Sequence, residues 1–130
     1  MREIKFRAWD KINKIWINEF LITSNQDILI IDEYELPKTG LTVGWKSSDG
    51  YVEIQQFTGL KDKNGKDIYE GDIVKFKIIF TSGTDEVVFN EGRFELKNIS
   101  IGGEKRSVDN IANYCEVVGN IFENPELLTN

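Results

Sequence analysis

Apolar and polar residues alternate in the N-terminal stretch EIKFRAW, which places Ile4, Phe6 and Ala8 on one face and Lys5 and Arg7 on the other. A period of two residues predicts a β-strand with one buried face. The stretch IWINEFLI follows a short run of turn-forming residues and predicts the returning strand of a hairpin. We therefore expect an N-terminal β-hairpin region.

Turn residues and charges crowd the central stretch TGLKDKNGKDIYEGDIVKF, which then ends in apolar alternation. Asn64 and Gly65 tolerate the positive φ angles of a type I′ turn, so this pair predicts a tight hairpin. Gly71 predicts a second bend, and the short carboxylate of Asp72 can accept hydrogen bonds from neighbouring backbone amides. We interpret the stretch as the corner of a β-sheet.

The same stretch contains DKNGKD, which superficially resembles a calcium-binding loop. An EF-hand loop places oxygen ligands at alternating positions and a glycine at its sixth position. Here Lys66 takes a ligand position and Asp67 takes the place of the glycine. The sequence therefore favours a solvated turn over a calcium site.

Three consecutive strands with tight turns are predicted after the corner. Val74, Phe76, Ile78 and Phe80 alternate with lysines, so we expect these four side chains to face the core. The stretches EVVF and RFELK follow, separated by a short turn that ends in glycine. This arrangement predicts an antiparallel meander.

Two short helices are predicted near the C-terminus. Val108, Ile111 and Cys115 have helical spacing behind a serine or aspartate cap, which indicates about two turns of helix. Asn124 and Pro125 are typical of a helix start and predict a final short helix. The stretch CEVVGNIF between them returns to strand alternation.

The whole pattern predicts a mainly β fold, with short antiparallel strands that form a small barrel-like C-terminal part, an N-terminal β-hairpin region and one or two short helices. Residues 37–50 form the least regular stretch, with three glycines, and are predicted to be a long loop. We divide the chain into an N-terminal β region at 1–56 and the barrel-like part at 57–130, and the two can still form one compact unit.

Composition narrows the chemistry. The 130 residues carry a formal net charge of -6 and contain no histidine, which excludes a Ser-His-Asp triad, a Cys-His pair and His-ligated zinc. The single cysteine, Cys115, excludes an intrachain disulfide and a cysteine-rich metal site, and it favours a cytoplasmic location. No phosphate-binding glycine loop is present. We therefore expect a non-enzymatic protein without catalytic residues, cofactor or bound metal.

Large aromatic and cationic side chains supply the candidate interaction surface, which we place at Arg7, Trp9 and Trp45. Trp9 falls on the charged face of the predicted first strand, and Trp45 falls in the glycine-rich stretch. Exposed tryptophans anchor protein interfaces and also stack on bases. Burial in the core remains an alternative for each tryptophan.

Two further hypotheses follow from charge. Lys5, Arg7, Trp9 and Lys11 make the N-terminal hairpin locally basic and aromatic, a combination that binds single-stranded nucleic acid on some small barrels. The net charge of -6 disfavours that partner. A pair of the abundant carboxylates could hold magnesium, although their spacing in the sequence selects no pair.

Three stretches occur here in the order found in the YopX family, which this chain resembles: MREIKFRAWD, QFTGLKDKNGKDIYEGDIVKF and VVGNIFENPELL. The resemblance implies a phage or prophage origin and a mainly β fold with a barrel-like C-terminal part. It implies neither a biochemical activity nor catalytic residues. The region from about Trp16 to Gly50 and much of the region from Phe80 to Ala112 depart from the family pattern.

Our leading hypothesis is a phage- or prophage-encoded accessory protein of the bacterial cytoplasm that acts through protein-protein contacts. The expected partner is another protein or a second copy of the chain, and no membrane partner is expected. A small β-barrel that binds nucleic acid is the alternative, and a carboxylate-dependent magnesium enzyme is the third hypothesis.

Overall fold

The computed structural model describes residues 2–30, 43–45 and 50–128. The alternating stretches in these ranges form β-strands. Within these ranges the strands are β1 (Phe6–Asp10), β2 (Ile15–Ile17), β3 (Phe20–Ile22), β4 (Ile28–Ile30), β5 (Val43–Trp45), β6 (Val52–Lys61), β7 (Asp67–Tyr69), β8 (Asp72–Ile78), β9 (Thr81–Asn90), β10 (Arg93–Leu96) and β11 (Cys115–Asn120). The predicted mainly β fold is confirmed. Across these same ranges, no helix is long and apolar enough to cross a membrane.

Short 3₁₀ helices at Val108–Asn110, Ala112–Tyr114 and Pro125–Leu128 interrupt the strands. The first two replace the two-turn helix that the spacing of Val108, Ile111 and Cys115 predicted. Ser107, at the N-cap of the first, makes no capping hydrogen bond with its side chain, so the predicted serine cap is absent. The three apolar residues are nevertheless buried, as their spacing predicted.

The chain divides into two compact units. The larger unit contains Met1–Lys5 and Gln56–Asn130, and the smaller unit contains Phe6–Gln55. Strand β6 therefore starts in the smaller unit and ends in the larger one.

In the larger unit, β10, β9, β8 and β11 form an antiparallel sheet in that order. The end of β6 pairs with β7, from Phe57 opposite Tyr69 to Lys61 opposite Asp67. In the smaller unit, β1 lies between β2 and β6, and β3, β4 and β5 form a separate antiparallel sheet. The meander predicted after Asp72 corresponds to β8, β9 and β10.

A continuous apolar core fills the larger unit. It comprises Ile68, Val74, Phe76, Val87, Leu96, Val108, Ile111, Ala112 and Cys115. The prediction that Val74 and Phe76 face inward is confirmed. The prediction for Phe80 is wrong, because Ile78 pairs with Thr81 and leaves Phe80 in the turn of the β8–β9 hairpin, where it is fully exposed.

The turn between β6 and β7 is wider than the Asn64-Gly65 pair predicted. Only Gly65 of that pair has a positive φ, of 82°, whereas a type I′ turn needs two such residues. The backbone amide of Gly65 donates to the carbonyl of Asp62 over 3.0 Å, and the amide of Asp62 donates to the carbonyl of Lys66 over 2.7 Å. The two-residue turn with positive φ at both positions lies instead between β9 and β10, at Glu91 and Gly92.

The carboxylate of Asp62 explains the wider turn. One oxygen accepts from the amides of Asn64 and Lys66, and the other accepts from the amide of Val117 on β11. The side chain is only 6% exposed, so it is not the solvated turn residue that the sequence favoured. The three donated bonds outweigh the effect of burial, which raises the pKa, and they hold the pKa of Asp62 below its usual value.

Two further buried aspartates bind backbone amides in the same way. Asp72 accepts from the amide of Tyr69 over 2.8 Å, which confirms the role that the sequence predicted for it. Asp85 accepts from the amides of Glu86, Asn98 and Ile99. These carboxylates fix loops against the sheet.

Three residues of the loop predicted at 37–50 belong to a strand. Val43–Trp45 form β5 and pair with β4 in the register Ile28 opposite Trp45. The valine and tryptophan at its ends favour a strand, and the glycine between them did not prevent it. The rest of that predicted loop, except Gly50, lies outside the described residues.

Asp62→Asn should lower the free energy of unfolding by about 2 kcal/mol at pH 7, because an amide nitrogen would face a backbone N–H that now has an acceptor. The carboxylate stabilises the fold above its unfolded pKa, and this contribution is lost as the pH falls through the lower folded pKa. The difference in the free energy of unfolding between wild type and variant, measured by urea titration, should therefore be smaller at pH 3 than at pH 7. The exposed Asp109→Asn is the control, and an equal loss there would contradict the assignment.

Gly119→Ala should destabilise the protein by about 1–3 kcal/mol, because a new Cβ would meet packed neighbours. That atom would lie 2.7 Å from Asn124 Oδ1 and 2.8 Å from Leu127 Cδ1, next to a register shift in β11. Gly83→Ala is the comparison, since its one contact under 3 Å is the terminal Cδ1 of Ile99, whereas a Cβ at Gly119 would also lie 2.9 Å from Asn124 Cβ, which cannot move without the backbone. Thermal melting should show a clear drop for the first variant and little change for the second; equal melting temperatures would refute this packing argument.

Candidate functional site

The predicted interaction surface is not assembled as the sequence suggested. Trp9 is only 6% exposed and packs edge-on against Trp16, with ring centroids 4.9 Å apart. Trp16 of β2 lies directly opposite it in the register of the sheet, so the ring of the neighbouring strand covers it. The backbone of Trp45 lies in β5. Trp9 therefore does not serve as an exposed anchor.

Arg7 is tied into the smaller unit. Its Nε donates to Gln55 Oε1 over 2.9 Å, and its guanidinium lies 4.6 Å from the centre of the Trp16 ring. Both contacts fix the side chain along the strand. They explain its position structurally, without reference to a ligand.

The basic N-terminal residues also have local partners. Lys5 contacts Asp67 over 2.6 Å and lies 4.5 Å from the centre of the Phe57 ring, and Lys11 contacts Glu53 over 2.7 Å. Lys5 and then Lys61 hold the pKa of Asp67 below its usual value. These carboxylates compensate the positive charge that a nucleic-acid site would need.

Reactive groups offer little chemistry. Burial, and then the nearby charge of Asp62, raise the pKa of the Cys115 thiol to about 11, so it stays protonated at neutral pH. In the ranges 2–30, 43–45 and 50–128, no three acidic or cysteine side chains lie close enough together to hold a metal ion. The buried carboxylates of Asp62, Asp72 and Asp85 accept hydrogen bonds from backbone amides.

A cleft of about 430 Å³ opens on the larger unit, between β6, the β9–β10 hairpin and the first 3₁₀ helix. Its apolar wall contains Leu60, Phe89, Phe94 and Val108. The Phe89 and Phe94 rings meet edge-on, with centroids 5.1 Å apart, and Phe89 is 55% exposed. We call this feature the Arg–Phe cleft, after these rings and the two arginines of its rim, Arg2 and Arg93.

The polar wall of the Arg–Phe cleft joins segments that are far apart in the sequence. It includes Arg2, Thr58, Arg93, Ser107 and Asp109. No local sequence pattern could have revealed this set, because each residue is unremarkable within its own segment. They come together only in the folded chain, because the lining combines the N-terminal residues, β6, the β9–β10 hairpin and the first 3₁₀ helix.

Two hydrogen bonds hold Arg93 in the cleft. Its Nε donates to Glu95 over 3.0 Å, and one terminal nitrogen donates to the carbonyl of Lys105 over 3.0 Å. The amide of Asn90, and then Arg93, lower the pKa of Glu95, although burial opposes them. Glu95 is therefore an anion that positions the arginine.

A second candidate feature is the hairpin tip, which we define as Ile79 and Phe80. Ile79 is 81% exposed and Phe80 is fully exposed. Ile79 has a φ of 46°, a conformation that is strained for a β-branched residue. The sequence contained a usable signal, because the three successive apolar residues Ile78, Ile79 and Phe80 cannot all lie on the buried face of one strand.

Comparisons with known proteins agree on the family. A family model described as YopX protein matches residues 5–129. Protein EF1440 from Enterococcus faecalis has a similar crystal structure, with 28% identity, 98% of this chain and 99% of that chain covered, and a TM-score of 0.64. Protein yopX from Bacillus subtilis is similar at 25% identity, with coverage of 98% and 99% and a TM-score of 0.69. No curated protein matches the chain.

Arg7→Ala should lower the stability of the smaller unit by about 1 kcal/mol, since it removes a hydrogen bond and a cation–π contact. Tryptophan fluorescence should shift, because the guanidinium covers the Trp16 ring. Chemical denaturation followed by fluorescence measures both effects. The exposed Lys14→Ala is the control, and unchanged fluorescence in Arg7→Ala would contradict this structural role.

Proposed function

This chain belongs to the YopX family, and we propose that it is a phage- or prophage-encoded accessory protein that binds a protein partner without catalysing a reaction. We place its action in the cytoplasm of the bacterial host. The family resemblance supports the phage context. The observation that carries the binding proposal is the exposed hairpin tip.

The tip has the properties of an anchor in a protein interface. Phe80 is fully exposed and Ile79 nearly so, at the end of a hairpin that the core residues Val74 and Phe76 hold in place. A large apolar side chain on a rigid support can enter a partner's pocket at low entropic cost. Burying two such side chains is worth about 3–6 kcal/mol.

The backbone of the tip supports the same proposal. A two-residue hairpin turn with positive φ at its first position normally has glycine there. Isoleucine in this conformation costs about 1–2 kcal/mol. Such local strain in a folded protein is typical of functional positions, where the side chain matters more than the ease of forming the turn.

Charge defines the partner that fits. Lys77 is exposed on β8 behind the tip, whereas the exposed Lys75 lies opposite Glu116 of β11. The tip is thus an apolar surface with one lysine, Lys77, behind it on a protein of net charge -6. A partner with an apolar pocket and an acidic rim complements it.

The nucleic-acid alternative has less support. Trp9 is buried, and Lys5 and Lys11 pair with carboxylates. Trp9 therefore offers no open stacking platform, and carboxylates compensate part of the positive charge of the basic hairpin.

The first test captures partners from infected or lysogenic host lysate with wild-type protein, Phe80→Ser and the control Tyr114→Ser. Tyr114 is an exposed aromatic residue elsewhere in the same unit. Capture of the partner should survive nuclease treatment. In calorimetry the partner should bind wild type and Tyr114→Ser equally and Phe80→Ser at least about tenfold more weakly, which corresponds to about 1.4 kcal/mol.

Lys77→Glu should slow association with the partner and weaken the dependence of that association on salt.

The opposite outcomes are clear. Equal binding by Phe80→Ser and wild type would overturn the role of the tip. Partners that are lost with nuclease would favour nucleic acid. A dimer in light scattering that disappears in Phe80→Ser would show that the tip binds a second copy of this chain rather than another protein.

Ile79→Gly should separate stability from binding. Glycine relieves the strained φ, and we expect the free energy of unfolding to rise by about 0.5–1 kcal/mol after its own entropic cost. Binding to the captured partner should weaken, because an apolar side chain is lost. Urea titration measures the stability and calorimetry measures the binding. A variant that is less stable than wild type and binds the partner with equal affinity would refute this interpretation.

A further inference from the structure

We propose that the Arg–Phe cleft binds a small anionic ligand that carries a planar ring. This site is separate from the hairpin tip, and the inference does not depend on the proposed protein partner. The volume of about 430 Å³ lies within the range of small-molecule sites. All of the lining belongs to the larger unit.

The apolar wall provides a platform for the ring. Phe94 contacts Phe89 edge-on, which restrains the Phe89 ring while more than half of that residue stays exposed. A restrained, accessible aromatic face stacks on a planar ring, and such stacking is worth about 1–3 kcal/mol per base in nucleic-acid complexes.

The two arginines provide the anion site. Arg93 is held by Glu95 and by the carbonyl of Lys105, so its charge is paired and its remaining N–H donors have a fixed position, whereas the uncompensated charge of the site comes from Arg2. Arg2 forms no ion pair or hydrogen bond to another described residue, so its donors are open to a ligand. Guanidinium groups match the planar oxygen pairs of phosphates and carboxylates.

Polar groups beside these arginines favour a ligand with hydrogen-bonding edges. Asp109 lines the cleft and accepts hydrogen bonds from N–H or O–H donors, and the hydroxyls of Thr58 and Ser107 can donate or accept. A mononucleotide combines an anion, a planar ring and such donors. An aromatic carboxylate shares the first two features, so the anion can be a phosphate or a carboxylate.

Calorimetry on the full chain tests the site with four probes. They are GMP, 3-phenylpropionate as a ringed carboxylate, ribose 5-phosphate as an anion without a ring, and guanosine as a ring without an anion. A ringed anion should bind at least about tenfold more tightly than either partial probe, since losing one charged hydrogen bond or one stack costs about 1.5 kcal/mol or more. The better of GMP and 3-phenylpropionate identifies the anion.

Two variants locate the binding. Arg2→Ala and Phe89→Ala should each weaken the best probe about tenfold, and both positions are exposed enough that the fold should persist. Arg106→Ala and Phe80→Ala make the same side-chain changes outside the cleft and should leave binding unchanged. Affinity should also fall as salt rises.

The proposal has a definite failure. Absence of saturable binding by both ringed anions at millimolar concentration would overturn it. Binding that Arg2→Ala and Phe89→Ala leave unchanged would overturn the location. Loss of partner binding in Phe80→Ser, with probe binding intact, would show that the hairpin tip and the cleft act separately.

Discussion

The buried carboxylate of Asp62 is the interaction on which the larger unit depends. It accepts hydrogen bonds from Asn64 and Lys66 in its own loop and from Val117 on β11, which joins the β6–β7 turn to the edge of the main sheet. The amide of Lys63 also donates to the carbonyl of Cys115, so the turn binds β11 at two points. An ionised group out of water is stable only with such donors. The turn and the sheet edge are therefore formed together.

Buried carboxylates also shape the cleft. Asp85 on β9 binds the amides of Asn98 and Ile99 and so fixes the chain as it leaves β10. That chain returns to bridge Glu95 with Ser107, just before the first 3₁₀ helix. The wall of the Arg–Phe cleft thus depends on the hydrogen bonds of Asp85, although Asp85 does not line the cleft. Because each loop is fixed by an anion, its exposed side chains can vary without loss of the fold.

The sequence predicted the elements whose cause is local. Alternation located the strands of the meander and the burial of Val74 and Phe76, since one covered face requires that period. It failed for Phe80, because alternation does not mark where a strand turns, and for Trp9, because the pattern of one strand does not show that Trp16 of β2 lies opposite it. The cleft was not predictable, because Arg2 and Arg93 are far apart in the sequence and line the same cleft only in the folded chain. Asp62 was recognised as a turn residue, but its bond to Val117 is a tertiary contact.

The β8–β9 turn of the molecule goes against the usual preference for glycine at positive φ. Gly65, Gly71 and Gly92 have the positive φ values that glycine adopts without strain. Ile79 adopts a similar φ, and it is the one β-branched residue to do so in the described part of the chain. Its side chain gains no burial from this position, so packing within the unit does not explain the choice of residue. Where a sequence breaks a local rule with no gain to the fold, function is the expected cause. We therefore propose that this apolar, strained and exposed turn is a surface that another molecule completes.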